Sequence, residues 1–95
     1  MRIKYNKIAE YLNVLSNPIR LQILDLTSQK PRSVTELTNK LKLRKANVSQ
    51  QLSLLRYQNF VQTKRDGKKV FYSTKDGVIK KILKIFNSRF NSALK

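Results

Sequence analysis

Apolar residues recur at helical spacing in five segments of this chain. Ile8, Tyr11, Leu12 and Leu15 follow the spacing i, i+3, i+4, i+7, which predicts an amphipathic helix over residues of about 4–15. A second long stripe near the end of the chain consists of Ile79, Ile82, Leu83, Phe86, Phe90 and Ala93. This stripe predicts a last helix over residues of about 77–94.

Three further helices are predicted between these two, and each has a sequence signal at one of its ends. Asn17-Pro18 pairs a capping residue with proline at the first helical position, and this second helix is expected to stop near Ser28. Ser33-Val34-Thr35-Glu36 has the spacing of a capping box, with Ser33 as the N-cap and Glu36 reaching back to it. A fourth helix is expected from Lys45 to Gln58, after a tight turn at residues 42–44.

The pattern changes to strand spacing after Asn59, a residue suited to a left-handed helix end. Phe60–Arg65 and Lys68–Ser73 are β-prone runs, and Asp66-Gly67 between them is a strong hairpin signal. The predicted order is therefore α-α-α-α-β-β-α. We expect residues 1–95 to form one domain of mainly α structure with a β-hairpin wing (α+β), a winged helix-turn-helix.

The charge of the chain is far from that of an ordinary soluble domain. Its 95 residues carry 21 Lys and Arg against 5 Asp and Glu, a formal net charge of +16. Residues 1–43 hold 8 basic and 3 acidic groups, net +5, and residues 44–95 hold 13 and 2, net +11. Solubility alone is met by a net charge of about 2–8. The excess therefore predicts a polyanionic partner, with nucleic acid favoured over an anionic membrane surface.

The residue inventory excludes several kinds of chemistry. The sequence has no Cys and no His, and no two of its five carboxylates lie within one helical turn. These facts remove disulfides, thiolate or imidazole metal sites, thiol redox switches and histidine-based pH sensing. We therefore predict no enzyme activity, no cofactor and no metal site. Neither a run of ~20 apolar residues nor a signal-peptide core is present, which predicts a cytoplasmic (nucleoid-associated) protein without a membrane partner.

The third and fourth predicted helices form a helix-turn-helix, and the fourth is rich in small amide and hydroxyl side chains. Gln and Asn bond adenine, Ser bonds any base edge, and Ala contacts the thymine methyl group. An ordinary solvated helix face is the alternative interpretation. The candidate base-contacting residues are Lys45, Ala46, Asn47, Ser49, Gln50 and Gln51. The wing adds four cations for the DNA backbone, which are Lys64, Arg65, Lys68 and Lys69.

The stretch from Leu15 to Asp76 resembles the ArsR-type winged-helix repressors, named for the arsenical-resistance operon. The segments that carry the resemblance are NPIRLQIL, SVTELTNKLKL, NVSQQLSLLR and FVQTKRDGKKVFYS. The resemblance implies that the first and last helices form a dimer interface, that the helix after the turn contacts bases and that the wing contacts the backbone. It also implies that Arg56 is a phosphate contact or a packing residue.

The terminal helices favour a homodimer independently of that resemblance. The last apolar stripe is long for a chain with so small an interior, and a monomer would leave part of it exposed. Packing of this helix on its own domain alone is the alternative. The candidate interface residues are Ile8, Tyr11, Leu12, Leu15, Ile79, Ile82, Leu83, Phe86 and Phe90.

The chain departs from the family pattern in two ways. Many members bind metals through a thiolate pair at the start of the third helix, where this chain has Ser33 and Thr35, and others use Asp and His on the last helix. Because hydroxyls are poor ligands for such ions, the resemblance implies a member without metal sensing. Arg44 stands where the family commonly places a capping Ser, and its cation is a candidate phosphate contact.

These observations together predict a sequence-specific regulator of transcription that binds double-stranded DNA. We expect a dimeric repressor that occludes a promoter at an inverted-repeat operator. An architectural or chromatin-like DNA binder of low specificity is the first alternative. An RNA-binding winged helix that stacks bases on Tyr57, Phe60, Phe71 and Tyr72 is the second. The operator, the effector and the choice between repression and activation are open from the sequence.

Overall fold

The computed structural model describes residues 2–75 and 77–92, which form five helices and one three-stranded antiparallel sheet. The helices are α1 (Tyr5–Leu15), α2 (Pro18–Gln29), α3 (Val34–Leu41), α4 (Lys45–Tyr57) and α5 (Gly77–Ser92). The strands are β1 (Arg32–Ser33), β2 (Val61–Asp66) and β3 (Lys69–Thr74). The predicted fold class is confirmed. The predicted extension of the last helix to residue 94, with Ala93, lies outside the described residues.

The predicted signals set the helix ends. Asn17 Oδ1 accepts hydrogen bonds from the backbone N–H groups of Ile19 and Arg20, at 2.9 and 3.1 Å, and caps α2. These bonds satisfy donors that have no partner within the helix. Asn59, shortly after α4, has a φ of 65°, in the predicted left-handed conformation. Lys42, directly after α3, is also left-handed, with a φ of 55°, which the sequence pattern does not predict. Each left-handed residue ends its helix and turns the chain toward the next element.

Only half of the predicted capping box at the start of α3 is present. The Ser33 hydroxyl accepts a hydrogen bond from the Glu36 N–H at 3.1 Å, as predicted. The Glu36 carboxylate instead accepts a hydrogen bond from the Arg32 guanidinium, with an N–O distance of 2.6 Å. This hydrogen bond makes the largest contribution to lowering the pKa of Glu36, whereas burial of the carboxylate acts in the opposite direction and raises the pKa. The Arg32 guanidinium is a cationic donor, whereas the Ser33 N–H of a capping box is neutral, so the carboxylate makes the stronger bond with Arg32, which explains the difference.

The sheet contains a strand that the sequence pattern does not predict. β1 pairs with β3, with Arg32 opposite Tyr72 and Ser33 opposite Phe71, so the strand order is β1-β3-β2. The predicted element order is therefore corrected by one additional strand before α3. A two-residue strand is too short to show a period of two, and Pro31 before it is typical of a loop.

The hairpin is present, but its turn lies one residue later than predicted. Asp66 pairs with Lys69, which leaves Gly67 and Lys68 as the two connecting residues. Gly67 has a φ of 64° at the first connecting position. Type II′ hairpin turns require that conformation there, and glycine adopts it without steric cost.

All five helices and strand β2 contribute to one apolar core. Its fully buried members are Ile23, Leu24, Leu37, Val48, Leu52 and Leu55. At its edge the hydroxyls of Thr27 and Thr74 lie 2.9 Å apart, both buried, and they join α2 to β3. The orientation of α4 is therefore fixed by Val48, Leu52 and Leu55, which face this core together.

Two residues predicted at the dimer interface belong to this core instead. Leu15 is 8% exposed and Ile79 is 1% exposed, and both pack in the central apolar cluster. The apolar stripes of α1 and α5 each extend around more of the helix than the subunit interior covers. One edge of each stripe therefore packs in the interior, and the other edge is exposed. The prediction for Leu15 and Ile79 is corrected for this reason.

Arg32 offers a test of how the segment between α2 and α3 is stabilised. Its buried guanidinium donates to the Leu26 carbonyl at 3.0 Å, to Gln29 Oε1 at 2.8 Å and to Glu36. We expect Arg32→Met to lower the free energy of unfolding by about 2 kcal/mol, because these acceptors lose charge-assisted hydrogen bonds. Urea denaturation measures the change. The control Lys75→Met removes an exposed cation and is expected to leave stability unchanged; equal stability of both variants would contradict this account.

Candidate nucleic-acid interface

The helix-turn-helix consists of α3, a turn at residues 42–44 and α4. Arg44 is the N-cap of α4, and its side chain makes no capping hydrogen bond. The backbone N–H groups of the first turn of α4 therefore lack a side-chain cap. Such groups, together with the helix dipole, favour a phosphate at this position. The exposed side chains of Arg44 and Lys45 add two cations at the same end of the helix.

The buried and exposed positions of α4 define which face is available to a ligand. Val48, Leu52 and Leu55 are fully buried. Ala46, Gln50, Ser53 and Tyr57, which we call the outer face of α4, are exposed and follow the spacing i, i+4, i+7, i+11. At about 1.5 Å per residue this face extends ~16 Å along the helix. A helix can enter the major groove, which is about 12 Å wide.

The other predicted base-contacting residues lie beside the outer face. Asn47, Ser49 and Gln51 are half-buried. Gln51 also accepts a hydrogen bond from the Arg20 guanidinium at 3.4 Å, so it faces α2 more than solvent. Lys45 and Arg56 are exposed at opposite ends of α4. The structure thus brings the predicted residues together on one helix and places Gln50 and Ala46 outermost among them.

The four wing cations are all exposed but do not share one face. Lys64 and Lys69 belong to the face of the sheet that also carries Phe71, because residues opposite each other or two apart in register share a face. Arg65 pairs with Val70 on the other face, and Lys68 lies in the turn. The tip of the wing therefore presents cations in several directions. This arrangement suits contacts with the DNA backbone, because phosphates can be bound by cations that do not all point in the same direction.

The sequence pattern does not identify three features of this surface. Arg20 donates to the carbonyls of Val14 and Asn13, at 2.6 and 3.3 Å, and to Gln51, so it links α1, α2 and α4. Lys42 is exposed in the turn of the helix-turn-helix, beside the start of α4. Tyr57, considered above only as a base-stacking residue for RNA, is 84% exposed on the outer face of α4. Its spacing of seven residues from Gln50 is the signal that identifies it.

The terminal helices carry a separate, apolar surface. Leu12, Phe86 and Phe90 are 54%, 51% and 62% exposed, and Ile8 is exposed as well. Tyr11, Ile82 and Leu83 are half-buried, and the Tyr11 ring packs on Phe60 with centroids 4.7 Å apart. The surface includes one cleft of about 440 Å³ between α1 and α5 and one of about 420 Å³ between α2 and α5. Exposed apolar side chains gathered on neighbouring elements are typical of an interaction surface.

Among residues 2–75 and 77–92 there is no group of His, Cys, Asp and Glu that could hold a metal ion. Within the same residues no helix is long and apolar enough to cross a bilayer. At the position of the family's thiolate pair, the Ser33 hydroxyl already accepts the Glu36 N–H.

The chain is similar in sequence to known bacterial regulatory proteins. A family model described as bacterial regulatory protein, ArsR family, matches residues 17–63, from the cap of α2 into β2. The nodulation protein NolR of Rhizobium meliloti is 40% identical over 75 residues, which is 79% of this chain and 62% of NolR. The transcriptional activator HlyU of Vibrio cholerae is 30% identical over 87 residues, 92% of this chain and 81% of HlyU.

Solved structures agree over nearly the whole chain. The structure of HlyU from Vibrio cholerae superposes with a TM-score of 0.85 at 29% identity, over 95% of this chain and 98% of that one. A homodimeric winged helix-turn-helix DNA-binding domain from Mycobacterium bovis superposes with a TM-score of 0.79, over 100% and 94% of the two chains. At 22% identity, that second likeness concerns the fold alone. The chain spans about three fifths of the length of NolR and of several other curated relatives.

Proposed function

The chain belongs to the ArsR family of bacterial regulatory proteins, and from that premise we propose that it is a sequence-specific, double-stranded-DNA-binding regulator of transcription. In this proposal a homodimer occupies an inverted-repeat operator and represses by occluding a promoter. The outer face of α4 is the observation that carries the proposal. Gln50 stands there between small residues, opposite the buried Val48 and Leu52, with cations at both ends of the helix.

The chemistry of that face favours base recognition over mere attraction to phosphate. An amide at Gln50 can donate and accept at the same time, which matches the edge of adenine in the major groove. Ala46 is small enough for the helix to approach closely, and Tyr57 lies about 10 Å beyond Gln50 along the helix, where a phenolic hydroxyl can reach the groove wall. An architectural DNA binder with low specificity needs cations alone. The outer face of α4, defined above, contains no cation.

The terminal helices support a two-fold dimer. Leu12, Phe86 and Phe90 leave an apolar surface that a second subunit would cover. In a two-fold dimer both copies of α4 lie about 34 Å apart, one turn of DNA, and an inverted repeat matches that symmetry.

In this proposal the regulator does not sense metal ions. The sequence has no Cys or His, and Ser33 acts as a helix cap. We place the protein in the cytoplasm, bound to the nucleoid, because its proposed partner is the chromosome. Repression follows from occupancy of a promoter alone, since a bound dimer excludes other proteins from the same duplex.

Gln50→Ala tests the proposed base contact. We expect the preference for the selected operator over mutated operators to fall by roughly 1–3 kcal/mol at the base pair that Gln50 contacts, since a bidentate bond is lost. Competition binding at a fixed salt concentration measures this preference. Gln58→Ala, an amide-to-Ala change just beyond the end of α4, is the matched control. Unchanged base preference in Gln50→Ala would show that the assignment of the outer face is wrong.

Lys68→Gln and Lys69→Gln test the role of the wing. We expect each to weaken all duplex sequences alike and to reduce the slope of log affinity against log salt by about one, because each removes one phosphate contact. Binding isotherms at several salt concentrations measure the slope. Lys30→Gln, on the loop before β1, removes the same charge away from the wing and serves as the control. A change in base preference without a change in slope would contradict the proposed backbone role.

A further inference from the structure

Three lysines on α5 form a cationic face that neither the core nor the proposed dimer surface uses. Lys80, Lys81 and Lys84 are exposed. Ile79, Ile82 and Leu83, on the other side of the same helix, are buried or packed against the core. Phe86 and Phe90 continue that apolar side. The lysines therefore stay in solvent when the apolar side of α5 is covered.

The cationic face lies away from the proposed operator-binding surface. α5 packs on α2, and α2 packs on α4. The side of α5 that lines a cleft with α2 carries Leu83, Phe86 and Phe90. The three exposed lysines lie off this apolar side, so they do not line the cleft with the helix that supports α4. The proposed operator contacts already include seven cations per subunit, on α4 and its cap and in the wing. These are Arg44, Lys45, Arg56, Lys64, Arg65, Lys68 and Lys69.

The lysines have no compensating carboxylate on their own helix. Residues 77–92 contain four cations and no acid, and the nearest carboxylate in sequence, Asp76, lies outside the described residues. Lys80 and Lys84 are four residues apart, and Lys81 and Lys84 are three apart, spacings at which like charges repel on a helix. The one ion pair in the described part of the chain joins Arg32 and Glu36 on a different element. A bound polyanion relieves this repulsion.

We propose that Lys80, Lys81 and Lys84 form a second, sequence-independent surface for duplex DNA, which lets one dimer bridge two DNA segments. The inference rests on the proposed function, because that function brings the protein to DNA. The three lysines span about 6 Å along the helix axis, close to two phosphate steps of ~3.4 Å on one strand. A neighbouring segment of the bound chromosome is the polyanion at highest local concentration. The dimer presents two such faces, one on each subunit.

A bridging assay tests the proposal with the full chain. A duplex that the protein binds is immobilised and loaded with protein, and retention of a second, labelled duplex of unrelated sequence is measured. Three phosphate contacts give a salt slope of about −2.7. We therefore expect retention of the second duplex to weaken about 40-fold between 50 and 200 mM salt. In K80Q/K81Q/K84Q we expect retention at least tenfold weaker than in the unsubstituted protein.

The matched control R2Q/K30Q/K75Q removes the same charge from scattered exposed positions and is expected to retain the second duplex. Binding of the first duplex and its salt slope are expected to be unchanged in K80Q/K81Q/K84Q. Normal retention in that variant, or a reduced slope for the first duplex, overturns the proposal. More effective competition by RNA or by anionic lipid vesicles than by duplex DNA overturns it as well. Failure of the unsubstituted protein to bind any first duplex instead contradicts the proposed function.

Discussion

We expect that raising the salt concentration from 50 to 200 mM weakens binding of the proposed dimer to its operator by a factor of about 10³–10⁵. Each phosphate neutralised by Lys or Arg releases condensed counterions, so affinity falls steeply with salt for the ~6–10 contacts expected of a dimer. Seven candidate cations per subunit give fourteen in a dimer, enough to supply all of these phosphate contacts. Fluorescence anisotropy with a labelled operator duplex measures the affinity at each salt concentration.

The same titration separates charge from base recognition. We expect a random duplex to lose affinity with a similar slope, while the ratio of operator to random affinity changes much less, because bonds to base edges release few counterions. A loss of less than tenfold for the operator over this range would mean that few phosphates are contacted. The high charge of the second half of the chain would then need another explanation.

The double variant Leu12→Glu/Phe86→Glu is expected to be monomeric. Both side chains are about half exposed in the subunit, so the fold tolerates the change, but two buried carboxylates per subunit oppose association. A monomer binds one half-site only, and loss of the linked second half-site reduces operator affinity by about 10²–10⁴. Sedimentation velocity measures the oligomeric state and anisotropy the affinity.

Thr35→Glu, an exposed position on α3, is the control for the added charge. Circular dichroism of the double variant verifies that the subunit is folded. A folded double variant that still sediments as a dimer would place the interface elsewhere than on α1 and α5. A monomeric variant with unchanged operator affinity would show that the subunit binds DNA alone.

Local signals in the sequence predict most of the fold. Asn17 and Ser33 cap their helices because each side chain needs only backbone N–H groups two or three residues away. Asn59 ends the segment after α4 in the predicted left-handed conformation. Val48, Leu52 and Leu55 are buried as their spacing predicts. From these three residues the outer face of α4 also follows, since it lies opposite to them.

Features that depend on distant parts of the chain are not predicted. β1 exists because Arg32 and Ser33 meet Tyr72 and Phe71, about 40 residues later. Leu15 and Ile79 share their stripes with exposed residues, and only packing decides which edge of a stripe enters the core. The contact of Arg20 with Gln51 likewise joins two helices that are 31 residues apart. Periodicity along one helix contains no information about such partners.

The positions of the wing cations are predicted in part by the sequence and in part not. The register that places Lys64 opposite Phe71 and Arg65 opposite Val70 depends on which residues form the turn. Asp66-Gly67 indicates a hairpin, but a connection at Gly67 and Lys68 is equally compatible with its glycine. Moving the turn by one residue changes the partner of Lys64 from Lys69 to Phe71, two positions along the strand, so Lys64 and Lys69 share a face in either register. The sequence therefore predicts the wing and that these two cations share a face, but not that Lys68 lies in the turn.

Selection of bound duplexes from a random DNA pool is the decisive experiment, because it examines base recognition and dimer symmetry together. We predict enrichment of one sequence with two-fold symmetry, whose half-sites lie about 10 base pairs apart, one helical turn. The Gln50→Ala variant enriches a sequence with weaker preference at one position in each half-site. A pool that stays random after selection, while the protein still binds it, would contradict sequence-specific recognition by the outer face of α4.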